Sequence, residues 1–333
     1  MLRAQYLYSY FVEKSVKIFV PVWHSICIDI IRGDIVKNFE DILKAAAGKN
    51  VKVAVAAAHD KEVLSAIKMG MDINLIIPIL VGDKEKILSC AKELGLDLSN
   101  VKIIDESDIQ KASETAVKLV HDGEAKILMK GLVDTSIILK AVLNKDFGLR
   151  TNNLLSHAAV FQPEKYHKLL FITDAAMNLA PDADEKRQIT ENTVNLAHSL
   201  SIEMPKVAVV CAKEKVNPKM TATVDAAELV EKNKSGEITG CVIGGPLALD
   251  NAISKEAAVH KGIDDPVAGD ADILLMPNIE AGNILYKSLA FLSNSKNAGI
   301  LLGASAPIVL TSRADTDEAK LNSVALAVML ASN

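Results

Sequence analysis

Cysteine is scarce and scattered: Cys27, Cys90, Cys211 and Cys241 lie far apart, with no C-x-x-C pair and no Cys/His ligand spacing. That argues against a structural zinc module and a secreted disulfide framework, and it makes reduced thiols in the cytoplasm the simple expectation. Massed basic residues are also missing. With a net charge of −5 the chain has no electrostatic footprint for a nucleic-acid backbone. A long apolar run is absent from the first 30 residues, where Glu13, Lys14 and Lys17 interrupt the pattern before it reaches the roughly 20 residues of a membrane span. No small-residue cleavage site marks a signal peptide there. Residues 1–30, which hold three of the five tyrosines and the only tryptophan, are expected to be a poorly ordered extension or an upstream start.

Several catalytic signatures are missing as well. AGNILYKS (281–288) carries the Lys-Ser of a phosphate-binding loop without its second glycine. Neither G-x-G-x-x-G nor G-x-S-x-G occurs, which removes the usual dinucleotide and hydrolase readings. No H-E-x-x-H or carboxylate cluster marks a metal site. His121, His198 and His260 fall in helical patterns and read as structural, whereas His59 and His157 fall in less certain loop contexts and stay open.

What the chain has is apolar residues in regular order. Half of the 333 residues are hydrophobic and 24% are charged, enough for a large core and, at this length, for two domains sharing a cleft. Aliphatic runs of strand length at 51–58, 74–82, 101–105 and 125–131 alternate with helical patterns. A second series follows at 168–178, 206–212, 240–246, 271–278 and 297–303. Strands apolar on both faces, alternating with helices, specify an α/β fold with a mainly parallel sheet covered on both sides. Two such domains with facing strand ends would form one cleft, lined by the polar clusters that follow the strands. Lys130, Gly131 and Asp134 are one cluster; Asp174 with Asn178 is another.

The most informative stretch is GILLGASAPIVLTSRADTDEAK (299–320). Its short run Ile308, Val309, Leu310 ends in Thr311, Ser312 and Arg313, so a hydroxyl and a fixed cation fall at a strand end, where ligands bind in open α/β sheets. Asp315 with Glu318 has capping-box spacing and so reads equally as a helix start. Gly244 and Gly245 would allow close backbone approach after a strand. Asn283, Tyr286 and Lys287 lie in EAGNILYK, whose glycine suggests a helix start able to meet an anion.

The blocks GLVDTSIILKAVL (131–143), KVNPKMTATVDAAEL (215–229), GGPLALDNAIS (244–254), DPVAGDADILLMPNIEAGNILYKSL (265–289) and APIVLTSRADTDEAK (306–320) resemble the phosphate acetyl/butyryltransferase family, the butyryl branch more closely. The resemblance implies two α/β domains like those of isocitrate and isopropylmalate dehydrogenases, with a cleft between them and a dimer contact. Residues 31–153 plus 300–333 would form the first domain and 154–299 the second. It implies transfer of a short acyl group between coenzyme A and phosphate, both as substrates, with no cofactor, no metal, and neither nucleic acid nor membrane as partner. Phosphate acetyltransferase, an acyl-phosphate synthase using acyl carrier protein, and a silent CoA-binding regulator are the alternatives.

By the same resemblance Arg313 binds phosphate and Ser312 donates to the developing oxyanion. Lys130, Gly245, Asn283, Tyr286 and Lys287 are further candidates for the phosphate/CoA site. Lys140 stands where the family commonly has an arginine. The acetyl branch carries an aspartate base several residues after its Ser-Arg pair; the strictly spaced position here is Ala319, which passes the role to Asp315, Asp317 or another group. A cysteine found in some acetyltransferases has no counterpart in LLSHAAVFQP (154–163), which favours direct attack by phosphate in a ternary complex.

Overall fold

A computed structural model describes residues 36–311 and 315–332, so the proposed extension, Ser312 and Arg313 lie outside the described residues. Helix α1 (Phe39–Ala46) precedes β1 (Val51–Ala56), and α2 (Lys61–Asp72) follows it after Asp60, whose carboxylate accepts from the Val63 N–H. Strand β2 (Ile76–Gly82) leads through the capping carboxylate of Asp83 into α3 (Lys84–Leu94). After β3 (Lys102–Asp105), α4 (Ile109–His121) is capped by Asp108, whose carboxylate accepts from the Lys111 N–H. In each case an acceptor satisfies N–H groups that the first helical turn leaves unpaired. Strand β4 (Ile127–Lys130) and α5 (Thr135–Val142) complete the first series.

The next element corrects the loop expected around His157. Residues Ser156–Gln162 form strand β5, buried on both faces, which pairs with the short β6 (Leu170–Thr173). Then come α6 (Ala183–Ser199), β7 (Lys206–Val210), α7 (Thr221–Lys234), β8 (Val242–Leu247), the short helices α8 (Leu249–Ile253) and α9 (Lys255–His260), and β9 (Ile273–Leu275). The chain ends with α10 (Ile279–Leu292), β10 (Lys296–Leu302), β11 (Ile308–Val309) and α11 (Asp317–Ala331).

Among the described residues the eleven strands join one sheet in the order β3-β2-β1-β4-β11-β10-β5-β6-β9-β7-β8. Pairing is parallel except at the three central junctions, β11/β10, β10/β5 and β5/β6, which are antiparallel. Strands β1–β4 and β11 therefore run opposite to β6–β9, and the two series end at opposite edges of the sheet. The expected facing of strand ends does not occur.

The core shows where a cleft is instead. On one face a single apolar cluster runs the length of the sheet, from Val53 and Leu80 through Val160 and Phe171 to Val207, beneath α1, α2, α3, α6, α7 and α11. On the other face it is divided. Ala54, Val81, Leu128, Leu301 and Ile308 pack under α4 and α5, whereas Ala159, Phe161, Ile172 and Leu274 pack under α8–α10. Fully burying one such aliphatic side chain contributes about 1.5–3 kcal/mol, so the unbroken face holds the halves together while the broken one leaves a groove. Its floor is the central strands β11, β10 and β5.

Candidate active site

Register determines which side chains reach that floor. His157 pairs with Leu301, which pairs with Ile308, which pairs with Leu128, and directly paired residues share a face. His157 therefore lies on the groove side, between the two half-cores. Lys130, two residues beyond Leu128, shares that side at the end of β4. Its buried Nζ donates to the carbonyl oxygens of Gly131 and Val133 at 3.2 Å each.

Helix α10 forms the wall on the second half. Its cap is Asn278, whose side chain accepts from the Ala281 N–H, so Asn283, Tyr286 and Lys287 lie within the helix and not at its start. Their backbone N–H groups are already used, and the anion cradle expected from EAGNILYK does not form. The side chains act in its place. Tyr286 donates to Asp315 Oδ1 at 3.5 Å, packs edge-on against His157 with ring centroids 6.0 Å apart, and meets Phe161 at 5.7 Å. The Lys287 Nζ stands 4.7 Å from the Tyr286 ring centroid, and Asn283 donates to the Ala175 carbonyl at 3.1 Å. Close approach of α10 to the turn after β6 requires Gly282, because a Cβ there would fall 2.1 Å from the Asp174 carbonyl oxygen.

Asp315 is not the helix cap that its spacing with Glu318 suggests. Thr316 takes that place, accepting from the Ala319 N–H, and Asp315 is left facing Tyr286. The buried Lys320 holds it from behind, with Nζ donating to the Asp315 carbonyl at 2.5 Å and to Glu62 at 3.2 Å. Asp317 faces elsewhere and accepts from the Ser65 hydroxyl on α2 at 2.6 Å.

Electrostatics give these groups definite states. Burial drives the His157 imidazole below its usual pKa, with Lys287 adding to the effect and Asp174 and Asp315 opposing it. Burial and the Asp315 carboxylate both push the Tyr286 phenol up, so it remains a donor.

At the other end of the groove, Asp174 accepts from the N–H groups of Ala176, Met177 and His157 and from Asn178 Nδ2 at 2.6 Å. Asp174 and Asn178 are the polar cluster that follows β6. Beside them opens a cavity of about 460 Å³ lined by Leu143, Arg150, Leu155, Met177 and Asn178.

Tyr286 and Lys287 thus meet Asp315 and His157 in the groove, with Asn283 on the same helix, while Lys130 lies on the same side of the sheet at the end of β4. Lys140 is exposed in the last turn of α5, where a cation suits the free carbonyls. Gly245 lies on β8, the edge strand four places from β5, with its N–H donating to Asp265. It is not among the assembled residues. His157, left open in the sequence for want of a recognised strand, joins the candidates through β5.

A mainly parallel α/β sheet with this groove is the architecture of the phosphotransacylases. A branched-chain phosphotransacylase from Enterococcus faecalis superposes with a TM-score of 0.75 at 34% identity, over 84% of this chain and 99% of that one. The chain matches the family described as phosphate acetyl/butaryl transferase over residues 38–117 and 106–328. It is 50% identical over 299 residues to a phosphate butyryltransferase from Clostridium acetobutylicum, covering 90% of this chain and 99% of that one. It is 43% identical to a phosphate acetyltransferase from Thermotoga maritima over 88% of this chain and 99% of that one. The chain belongs to the phosphate acetyl/butyryl transferase family of acyltransferases.

Proposed function

We propose that the chain is a phosphate butyryltransferase that interconverts acyl-CoA plus phosphate with acyl phosphate plus CoA. The observation that carries this reading is the nearly full-length likeness to the butyryltransferase; the groove supports it. A phosphate oxygen attacks the thioester carbonyl carbon, the C–S bond breaks, and the proton that phosphate gives up passes to the departing thiolate. Arg313 and Lys130 hold the phosphate charge, Ser312 donates to the oxyanion, and Asp315 carries the proton. Acyl transfer changes no oxidation state, so coenzyme A and phosphate enter as substrates and no resident cofactor is required.

In the same reading residues 31–153 plus 300–333 and residues 154–299 act as the two domains flanking the groove. The apolar side chains Leu143, Leu155 and Met177 suit a short acyl group, and Arg150 beside them suits the phosphates of CoA. Among the described residues no helix is long and apolar enough to cross a membrane, and a cytoplasmic setting fits these substrates. A homodimer or higher homo-oligomer belongs to the proposal too, through Ile284, Phe291 and Leu292, which α10 leaves exposed; sedimentation at the monomer mass would count against it.

The test is phosphate-dependent thiol release from acetyl-, butyryl- and longer acyl-CoAs, with an acylated carrier protein as parallel donor. The expected result is highest kcat/KM with butyryl-CoA. The margin over acetyl-CoA is about 10- to 200-fold, the most a methylene or two supplies in an apolar pocket. Release from the carrier protein alone would point to acyl-phosphate synthesis, and CoA binding with no thiol release would point to a silent regulator.

A further inference from the structure

The acyl-transfer scheme leaves one buried ionisable group on the groove floor without a task. His157 is only 5% exposed, and its Nδ1 has no hydrogen-bond partner among the described residues. An unpaired buried nitrogen costs about 1–3 kcal/mol, which a residue there only for packing would not need to bear. The backbone around it is tightly held: its N–H donates to Asp174 Oδ2 at 3.2 Å, and its carbonyl accepts from the Thr173 hydroxyl at 3.1 Å. The ring lies over a gap in β10, because Gly299 has no side chain; a Cβ there would come 3.1 Å from Nε2.

Above the ring is Tyr286, fixed edge-on by His157 and by Phe161 with interplanar angles of 79° and 64°. Rings packed on two sides hold the tyrosine side chain in place, and its hydroxyl then lies 3.5 Å from Asp315 Oδ1. We propose that His157 is a positioning residue for the acyl transfer: its uncharged ring packs against the Tyr286 ring and so holds the phenol oxygen beside Asp315. The proposal rests on the acyltransferase reading given above.

The charge state follows from every element packed against the ring. Asp174 at the end of β6 and Asp315 before α11 favour the cation, whereas Lys287 on α10 and burial oppose it. Tyr286 is neutral, and β10 contributes Gly299 and Leu301, neither of which ionises. Burial prevails, so the ring is neutral in neutral solution. Protonation would set an imidazolium between two carboxylates, and Asp315 would turn from the phenol towards it. Acid should therefore disable the site while the chain is still folded.

The experiment is the pH profile of kcat for phosphate-dependent thiol release from butyryl-CoA, measured on the full chain, on His157→Gln and on Gly299→Ala. Wild-type kcat is expected to fall as pH drops through the His157 pKa, which lies below the ordinary 6.5. His157→Gln is expected to lose that acid limb and about tenfold in kcat, with KM for butyryl-CoA unchanged within about twofold, as for a group that aims a reacting side chain. Gly299→Ala keeps the imidazole and displaces it by a few tenths of an ångström. It should lower kcat severalfold and retain the limb. Wild-type kcat and limb in His157→Gln overturn the proposal. Should that variant not fold, wild-type kcat in Gly299→Ala overturns it as well. A wild-type chain that releases no thiol overturns the acyltransferase reading and this inference together, so the two failures are told apart.

Discussion

Alanine in place of Arg313 is expected to lower turnover by about a hundredfold or more, the usual consequence of removing one charged donor from a developing oxyanion or phosphate. The described residues on either side of it explain why the loss should be confined to chemistry. Thr311 is buried just beyond β11, and Asp315 is held through its carbonyl by Lys320. The melting temperature should stay near the wild-type value. Lys130 cannot compensate, because its ammonium is already shared between two carbonyl oxygens and offers a point charge where a guanidinium offers a planar fork. Arg313→Lys should for the same reason recover only part of the activity. Steady-state kinetics with butyryl-CoA and varied phosphate check both variants; wild-type kcat in Arg313→Ala would remove Arg313 from the site.

The largest effect on stability is expected from Lys186→Met. Lys186 on α6 and Asp225 on α7 form an ion pair at 2.5 Å with side chains only 3% and 10% exposed. Removing one member leaves the other charged, buried and unpaired, at a cost of about 3–5 kcal/mol, whereas replacing both with apolar residues of similar volume is often neutral. Lys186→Met should therefore melt well below wild type, and Lys186→Met with Asp225→Leu should recover most of the loss. Equal melting temperatures for the single variant and the wild type would show the pair to be hydrated in solution. The pair lies beneath the unbroken face of the sheet, on the side away from the groove, so turnover of the folded fraction should be preserved.

Much of this fold is legible in the sequence, for a plain reason. Strands β1, β2, β4 and β7 are buried on both faces, so they appear as aliphatic runs that nothing else in a soluble chain explains. Strand β5 is equally buried but reads SHAAVFQ, where a serine and a histidine serve the interior and two alanines carry little strand preference. Missing it conceals the antiparallel centre of the sheet, and with it the reason the two series of strands end at opposite edges.

Two boundary shifts had consequences for the site. Setting the start of α10 at Asn278 turns Tyr286 and Lys287 from a candidate backbone cradle into side chains facing a groove. Setting the cap of α11 at Thr316 releases Asp315 from a structural role. Lys130, Asp315 and the Ser312–Arg313 pair were identifiable as candidates because they follow aliphatic runs. The meeting of Asp315 with residues 157 and 286 was not, since those segments are distant in the sequence and come together only in the folded chain.

The two acids after Arg313 test directly whether the groove between the two half-cores is where the acyl group moves. Asp315 faces Tyr286 in the groove, whereas Asp317, two residues on, is bonded to Ser65 outside it. Initial rates of phosphate-dependent thiol release from butyryl-CoA should fall about a hundredfold in Asp315→Asn, the scale of losing a proton-transfer group, and should change little in Asp317→Asn. Full activity in Asp315→Asn, with the loss in Asp317→Asn instead, would contradict the groove as the reaction site.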